Sequence, residues 1–247
     1  IKDNFINKIV FNNFYIIKII KDNFISKLLN LNCYLISDFD HKYNLNKINY
    51  LKKPYFLTIK NKKKFSKNII NKFNLDFICK QITYEKKFSK KDIFNSNISC
   101  RLAKKKDLQQ LKIISLEKSW NSRFVQDHKI NNKIKYTIRL EWLKNFFKRK
   151  RGNYLIVAHK NNRLLGYLIL SRIKKKWTID IIATKEKAQK KGVGSSLINH
   201  ASKILKKIKI KKIIAGTQSN NAKAISFYKK NGFSIIQSKY IYHVHSD

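Results

Sequence analysis

Gln189-Lys190-Lys191-Gly192-Val193-Gly194 lies between an apolar run, Trp177 to Ala183, and a helix-like run, Ser195 to Lys206. A strand that feeds a glycine-bearing turn and then a helix is a candidate anion site. The first amides of a helix lack intrahelical acceptors and carry partial positive charge, and glycine lets a phosphate approach the backbone. All six glycines lie from Gly152 onward, so two in one turn mark a place where the backbone needs them. Two common nucleotide loops are excluded. Gly192 is followed by Val193-Gly194-Ser195-Ser196, not by Gly-Lys-Ser/Thr, and Leu197 stands where a dinucleotide fingerprint has its third glycine. The acid expected further on is replaced by Lys211-Lys212-Ile213-Ile214. A tight strand-to-helix turn that holds no ligand is the competing reading.

The second stretch with chemistry in it runs from Asn221 to Phe233. Asn221 has the side chain to cap a helix. Ala224 and Tyr228 are four apart, which sets a small residue beside an aromatic on one helix face. Gly232 suits a left-handed helix end, and Phe233 opens the next strand. Taken alone, Tyr228 reads as a core aromatic whose hydroxyl finds a partner.

The elements that must position these residues follow from periodicity. Residues 1–50 leave strand and helix both open. Tyr55 to Ile59 and Phe77 to Tyr84 read as strands around a helix from Phe65 to Phe73, a small β-α-β unit. The polar stretch Lys86 to Asn97 has no period and is taken as a domain boundary, giving a small α/β domain over 1–96 and a larger one over 97–247. In the larger one, strands are expected at Ile98–Leu102, Tyr154–His159, Leu164–Ser171, Trp177–Ala183, Lys212–Thr217, Phe233–Ile236 and Lys239–His245. Helices are expected at Asp107–Lys118, Lys135–Lys148, Ser195–Lys206 and Ala222–Lys230, with a loop over 119–133. That order is a mixed α/β or α+β sheet domain.

With 43% hydrophobic and 13% aromatic residues in 247, the chain folds and buries a core. Its net charge of +42 would draw polyanions at low salt. The lysines are dispersed along the whole chain, however, and accompany an excess of Asn and Ile, so a solvated surface is favoured over a specific nucleic-acid footprint. Cys33, Cys79 and Cys100 are odd in number and widely spaced, which fits reduced, buried thiols of a cytoplasmic protein. No apolar run reaches the ~18–20 residues of a membrane span, and Ile9–Ile20 is interrupted by Asn12, Asn13 and Lys18, so it is not read as a signal peptide. The chain opens at Ile1 and contains no methionine, so the natural start is expected to lie outside it.

Together, Gln189-x-x-Gly192-x-Gly194 and Asn221-x-x-Ala224-x-x-x-Tyr228-x-x-x-Gly232-Phe233 resemble the acyl-CoA signature of the GNAT acetyltransferase family. The resemblance covers about Asn97 to His245 and implies the GNAT fold, a mixed central sheet flanked by helices, here behind a smaller N-terminal α/β domain. It implies acetyl-CoA as cosubstrate and no metal. The backbone of Gln189, Lys190, Lys191, Gly192, Val193, Gly194 and Ser195 would hold the coenzyme's pyrophosphate. Ile182, Ala183 and Thr184 would splay from the neighbouring strand and pair with the pantetheine arm. Asn221 and Ala224, with Phe227 and Asn231, would complete that site, and Tyr228 would protonate the departing thiolate. A phenol of pKa ~10 is still protonated at neutral pH.

A finer similarity links Ser122-Arg123-Phe124, Asp127, Glu141-Trp142, Gly216-Thr217-Gln218 and Tyr240-Ile241-Tyr242-His243-Val244-His245 to the dTDP-fucosamine acetyltransferase group of that family. It implies a small-molecule acceptor, a nucleotide-linked amino sugar of surface polysaccharide, met by Arg123, Phe124 and Asp127, with Arg123 toward the sugar nucleotide's pyrophosphate and Asp127 toward its amine, and it admits a homodimer. Arg123 as a plain surface arginine and Asp127 as a cap of the next helix stay open. His243 and His245 alternate on one strand face; with no third ligand evident in the sequence, a structural role is expected. None of Glu85, Glu117, Glu141 and Glu186 is placed to act as general base. Acetylation of protein N-termini, as by the ribosomal-protein members, and nucleic-acid binding on a GNAT-like fold are the alternatives.

Overall fold

The computed structural model describes residues 19–39, 45–89, 98–117, 121–173 and 175–247. In chain order its elements are β1 (Ile19–Lys21), α1 (Asn23–Leu29), β2 (Asn32–Phe39), β3 (Tyr55–Asn61), α2 (Lys67–Lys72), β4 (Asp76–Lys87), β5 (Ser99–Leu102) and α3 (Leu108–Leu116). Then come α4 (Arg123–Gln126), α5 (Asn132–Phe147), β6 (Tyr154–Lys160), β7 (Arg163–Ile173), β8 (Lys176–Thr184), α6 (Val193–Lys207), β9 (Lys212–Gln218), α7 (Ala222–Lys230) and β10 (Ser234–Ser246). All ten strands join one sheet, in the order β1-β2-β3-β10-β4-β9-β8-β7-β6-β5. The sheet is mixed, as the alternation of elements predicts: β2–β3 and β8–β9 are parallel and the other pairs assigned a register are antiparallel. Ile9–Ile20, and the polar stretch from 90 to 97, lie wholly or mostly outside the described residues.

Period-2 alternation sends side chains to both faces of the central strands. Ile156, Ala158, Leu168 and Leu170 pack under α6 and α7, whereas Leu155, Val157, Tyr167 and Ile169 pack under α3 and α5. α6 supplies Leu197, Ala201 and Leu205, four apart and fully buried. α3 and α5 are joined by Arg139, whose guanidinium donates to the carbonyls of Ile114, Ser115 and Glu117 at the C-terminal end of α3. Carbonyls there lack amide partners and favour a cation. Cys33 and Cys79 are buried and Cys100 is half-buried, all three unpaired. Burial pushes their thiols up to about 12, 11 and 11. Among the described residues, no helix is long and apolar enough to cross a membrane.

The structure differs from the sequence expectation in three places. The expected β-α-β unit is split: β3 and β4 both run antiparallel to β10, which lies between them. On its other edge β4 pairs with β9, from Gln81↔Gln218 to Lys87↔Lys212, so residues before and after 97 share one sheet. Secondly, the loop over 119–133 contains α4, capped by Ser122 Oγ, which accepts from the Val125 amide. Thirdly, the two expected C-terminal strands are one, β10. Polar Gln237 and Ser238 interrupt the apolar pattern there, but a bulge between Ile235 and Gln237 keeps both in register with β4.

Candidate functional site

α6 starts after a tight turn in which Lys190 and Gly192 both take left-handed backbone, φ 60° and 80°. Only glycine adopts that region without strain, which accounts for Gly192. The Ser196 amide donates to the Gly192 carbonyl, so the amides ahead of it, on Val193, Gly194 and Ser195, are the first-turn groups without intrahelical acceptors. Gly194 is held against α7: a Cβ there would lie 2.7 Å from the Phe227 ring. The start of α6 and the body of α7 therefore touch, with Gln189 half-buried and Lys190 and Lys191 exposed at the rim.

β8 is paired with β7 as far as Thr184↔Gly166. Its other neighbour, β9, runs parallel and shares a single registered pair, Thr178↔Ile214. Beyond that pair the C-terminal parts of β8 and β9 do not bond to each other, so the edge carrying Ile182, Ala183 and Thr184 is open. Parallel neighbours otherwise bond continuously, and an open edge offers backbone groups to a ligand. Gly166 holds β7 close at this point, where a Cβ would come 2.6 Å from the Ala183 carbonyl oxygen.

α7 follows β9. Asn221 Oδ1 accepts from the Ala224 amide at 3.1 Å, the cap read from the sequence, which leaves its Nδ2 for a ligand. Ala224 is half-buried on the same face as Tyr228. Tyr228 is 4% exposed and stacked on Tyr84, with ring centroids 5.5 Å apart. Its hydroxyl bonds to no described residue, and burial, with the Tyr84 phenol beside it, holds its pKa well above the ordinary phenol value. Asn231 does not point its amide outward: Nδ2 donates to the Phe227 carbonyl at 2.8 Å, closing the helix end before Gly232.

α4 carries Arg123 and Phe124 and is followed by Asp127. It is tied to the start of α7 by Gln126 Nε2, which donates to Asn220 Oδ1 at 3.1 Å. The Arg123 guanidinium lies 4.1 Å from the centroid of the Phe124 ring, and its Nε is buried without a hydrogen-bond partner among the described residues. Asp127 is fully buried and caps no helix; Asn131 caps α5. Its Oδ2 accepts from His243 Nδ1 at 2.6 Å and His245 Nε2 at 2.8 Å, and its Oδ1 from the Lys129 amide at 2.9 Å. The third group that the sequence left unassigned beside the two histidines is thus Asp127, whose oxygens are engaged within the protein. All three ligand atoms fall within 4.8 Å of one another. The two Asp–His separations are hydrogen-bond lengths, below the about 3.3 Å edge of a tetrahedral site with ~2.0 Å bonds.

A carboxylate cannot donate, so both facing nitrogens carry the protons. Burial pushes His243 down to about 4 despite the carboxylate, so its ring is neutral and its Nε2 is a buried lone pair without a partner. Burial alone would raise the Asp127 carboxyl, but the two histidine bonds bring it well below the ordinary range. Three of the four glutamates are engaged elsewhere: Glu85 pairs with Lys212, Glu141 with Lys144, and Glu117 Oε2 accepts from the Glu186 amide. A cavity of about 1010 Å³ lined by Trp177, Phe88 and several lysines opens at the other end of β8, away from the turn.

Residues 113–233 match the model of the acetyltransferase (GNAT) family. Over 123 residues the chain is 30% identical to the spore coat polysaccharide biosynthesis protein SpsD of Bacillus subtilis (strain 168), covering 50% of this chain and 42% of that protein. The chain thus spans less than half the length of this curated relative. A functionally unknown conserved protein from Staphylococcus epidermidis superposes with a TM-score of 0.69 at 14% identity, over 100% of this chain and 96% of that one. A GCN5-related N-acetyltransferase from Sphaerobacter thermophilus gives 0.58 at 6% identity, over 93% and 76%. These two likenesses concern the fold. With its glycine turn at the start of α6, the opened strand pair β8–β9 and the family match across both, the segment 113–233 is a GNAT acetyltransferase domain.

Proposed function

We propose that the chain transfers an acetyl group from acetyl-CoA to the amine of a nucleotide-linked amino sugar of the dTDP type. The observation that carries this reading is the open edge of β8 between the starts of α6 and α7. The free amides of Val193, Gly194 and Ser195 suit a pyrophosphate. The backbone of Ile182 to Thr184 suits an amide-bearing arm lying along the strand, with Asn221 Nδ2 across the gap. Acetyl-CoA supplies a thioester that an amine attacks directly. A backbone amide of the open β8 edge then steadies the tetrahedral oxyanion, and Tyr228 gives its proton to the departing thiolate. The raised pKa of Tyr228 keeps that proton in place at neutral pH. The attacking amine's own proton leaves to solvent.

The sugar acceptor is supported by SpsD, a polysaccharide biosynthesis protein by name, and by the loop carrying Arg123, Phe124 and Asp127. In that loop Arg123 is the group available to an acceptor; Phe124, only 1% exposed, packs in the core beside Phe56 and Ile138 rather than facing a substrate as its sequence position suggests, and Asp127 acts through His245, which is about one-fifth exposed. The test is release of free thiol from acetyl-CoA with a panel of dTDP-linked amino sugars, simple amines and peptide N-termini. Turnover selective for the sugar nucleotides supports the reading; selectivity for peptides, or no thiol above background, overturns it.

A further inference from the structure

β3, β10 and β4 lie side by side, and Ile241 of β10 is in register with Lys60 on one side and Cys79 on the other. Directly opposed residues share a sheet face, so Lys60 and Cys79 flank Ile241 on the face that also carries His243. α4 packs on β4, and the Arg123 charge acts on Lys60, Cys79 and His243 alike. Neither Lys60 nor Arg123 makes an ion pair among the described residues. The charges acting on this pair are Lys239 and Arg151, of like sign, and one carboxylate, Asp22. Asp22 Oδ1 is already engaged, accepting from the Ile25 amide at the start of α1.

Lys60 and Arg123 are half-buried, and cations partly drawn out of water without a matching anion are destabilising; burial with the like charges of Arg123 and Lys239 pushes Lys60 down to about 7. Two buried polar atoms also lack partners among the described residues: the Arg123 Nε–H, a donor, and His243 Nε2, an acceptor. We propose that Lys60 and Arg123 form a site for a diphosphate group, built jointly from the front segment and the acetyltransferase segment. The guanidinium lies over the Phe124 ring, its planar fork suits phosphate oxygens, and the lysine adds a second charge. Two cations match a diphosphate better than a single carboxylate.

The site adjoins the transfer centre. The Ser219 amide, just past the end of β9, donates to the Lys80 carbonyl, one residue from Cys79. Lys60 is then about 10 Å further across the sheet, two strand spacings, a distance that a sugar between amine and diphosphate bridges. The assignment of this diphosphate to the acceptor rests on the function proposed above.

The experiment is calorimetric titration of the full chain with thymidine diphosphate at 150 mM salt, with thymidine and inorganic pyrophosphate as companion probes. Wild-type protein binds thymidine diphosphate and pyrophosphate competes, while thymidine alone binds at least tenfold more weakly. Lys60→Gln and Arg123→Gln each weaken the diphosphate tenfold or more. Acetyl-CoA binding stays unchanged in both, which also reports that they fold, and Arg123→Lys recovers part of the affinity. Lys176→Gln, an exposed lysine near the far cavity, leaves it unchanged, separating the site from general attraction to a chain of charge +42. Wild-type affinity in the Lys60 and Arg123 variants, or equal loss in Lys176→Gln, overturns the site. Intact diphosphate binding without thiol release from sugar nucleotides overturns the acceptor assignment instead.

Discussion

Asp127→Asn keeps the shape of a fully buried side chain and changes its hydrogen-bonding capacity. Three N–H groups converge on the carboxylate: His243 Nδ1 and His245 Nε2 on Oδ2, and the Lys129 amide on Oδ1. Asparagine offers one oxygen, so its NH2 must face either the Lys129 amide or the two imidazoles. His243 could switch tautomer to meet that NH2, but its Nε2–H would then be buried without an acceptor. One unsatisfied buried donor costs about 1–3 kcal/mol, and two charge-assisted bonds reduced to neutral ones lose roughly 1 kcal/mol more between them. The total is about 3 kcal/mol, and at ~2–4 °C per kcal/mol for a domain of this size the melting temperature falls by roughly 6–12 °C. Thermal unfolding at pH 7.5 measures it, with His243→Gln and the double variant closing a cycle. The double variant loses clearly less than the sum of the singles, since each partner's value depends on the other. A shift within about 1 °C, or strict additivity, would mean that the bonds to Asp127 do not hold this energy.

Two further outcomes follow from the same groups and from the sheet. The folded His243 pKa of about 4 lies below that of an unfolded histidine, so the unfolded state takes up the proton first. Stability therefore falls as pH drops from about 6.5 toward 4, and His243→Gln flattens that limb of a urea-midpoint series. Asp107, held low by its bidentate Arg101 partner despite burial, and Asp127 add stability that is present above about 4 and is lost as pH falls further. In Gly166→Ala, the new methyl meets the Ala183 carbonyl, backbone that cannot move without shifting the open edge of β8. It destabilises by about 1–3 kcal/mol and weakens acetyl-CoA binding, which melting curves and coenzyme titration read separately.

The acetyltransferase half was legible because its signals are local. Leu197, Ala201 and Leu205 write the buried stripe of α6 at a spacing of four, and Gly192 and Gly194 mark the turn that opens it. Other features depend on pairing between distant segments. That β4 enters the sheet between β9 and β10 is set by partners more than 100 residues away, and nothing in residues 76–87 states it. α4 spans four residues, too few to display a helical period. Asp127 meets His243 across a separation of 116 residues. Lys60 is one lysine in a chain crowded with them, and only the fold sets it half-buried in register with Ile241 and, across β10, Cys79.

The central claim is that the gap between β8 and β9 delivers a thioester to Tyr228. Single-turnover and steady-state thiol release from acetyl-CoA, measured on wild type and Tyr228→Phe with the sugar-nucleotide acceptor, tests it most directly. The expected outcome is acetyl-CoA-dependent turnover in the wild type, and a fall of roughly 10²-fold or more in kcat for Tyr228→Phe with the coenzyme Kd unchanged. Turnover in Tyr228→Phe equal to wild type, or no coenzyme binding by the wild type at all, would contradict it.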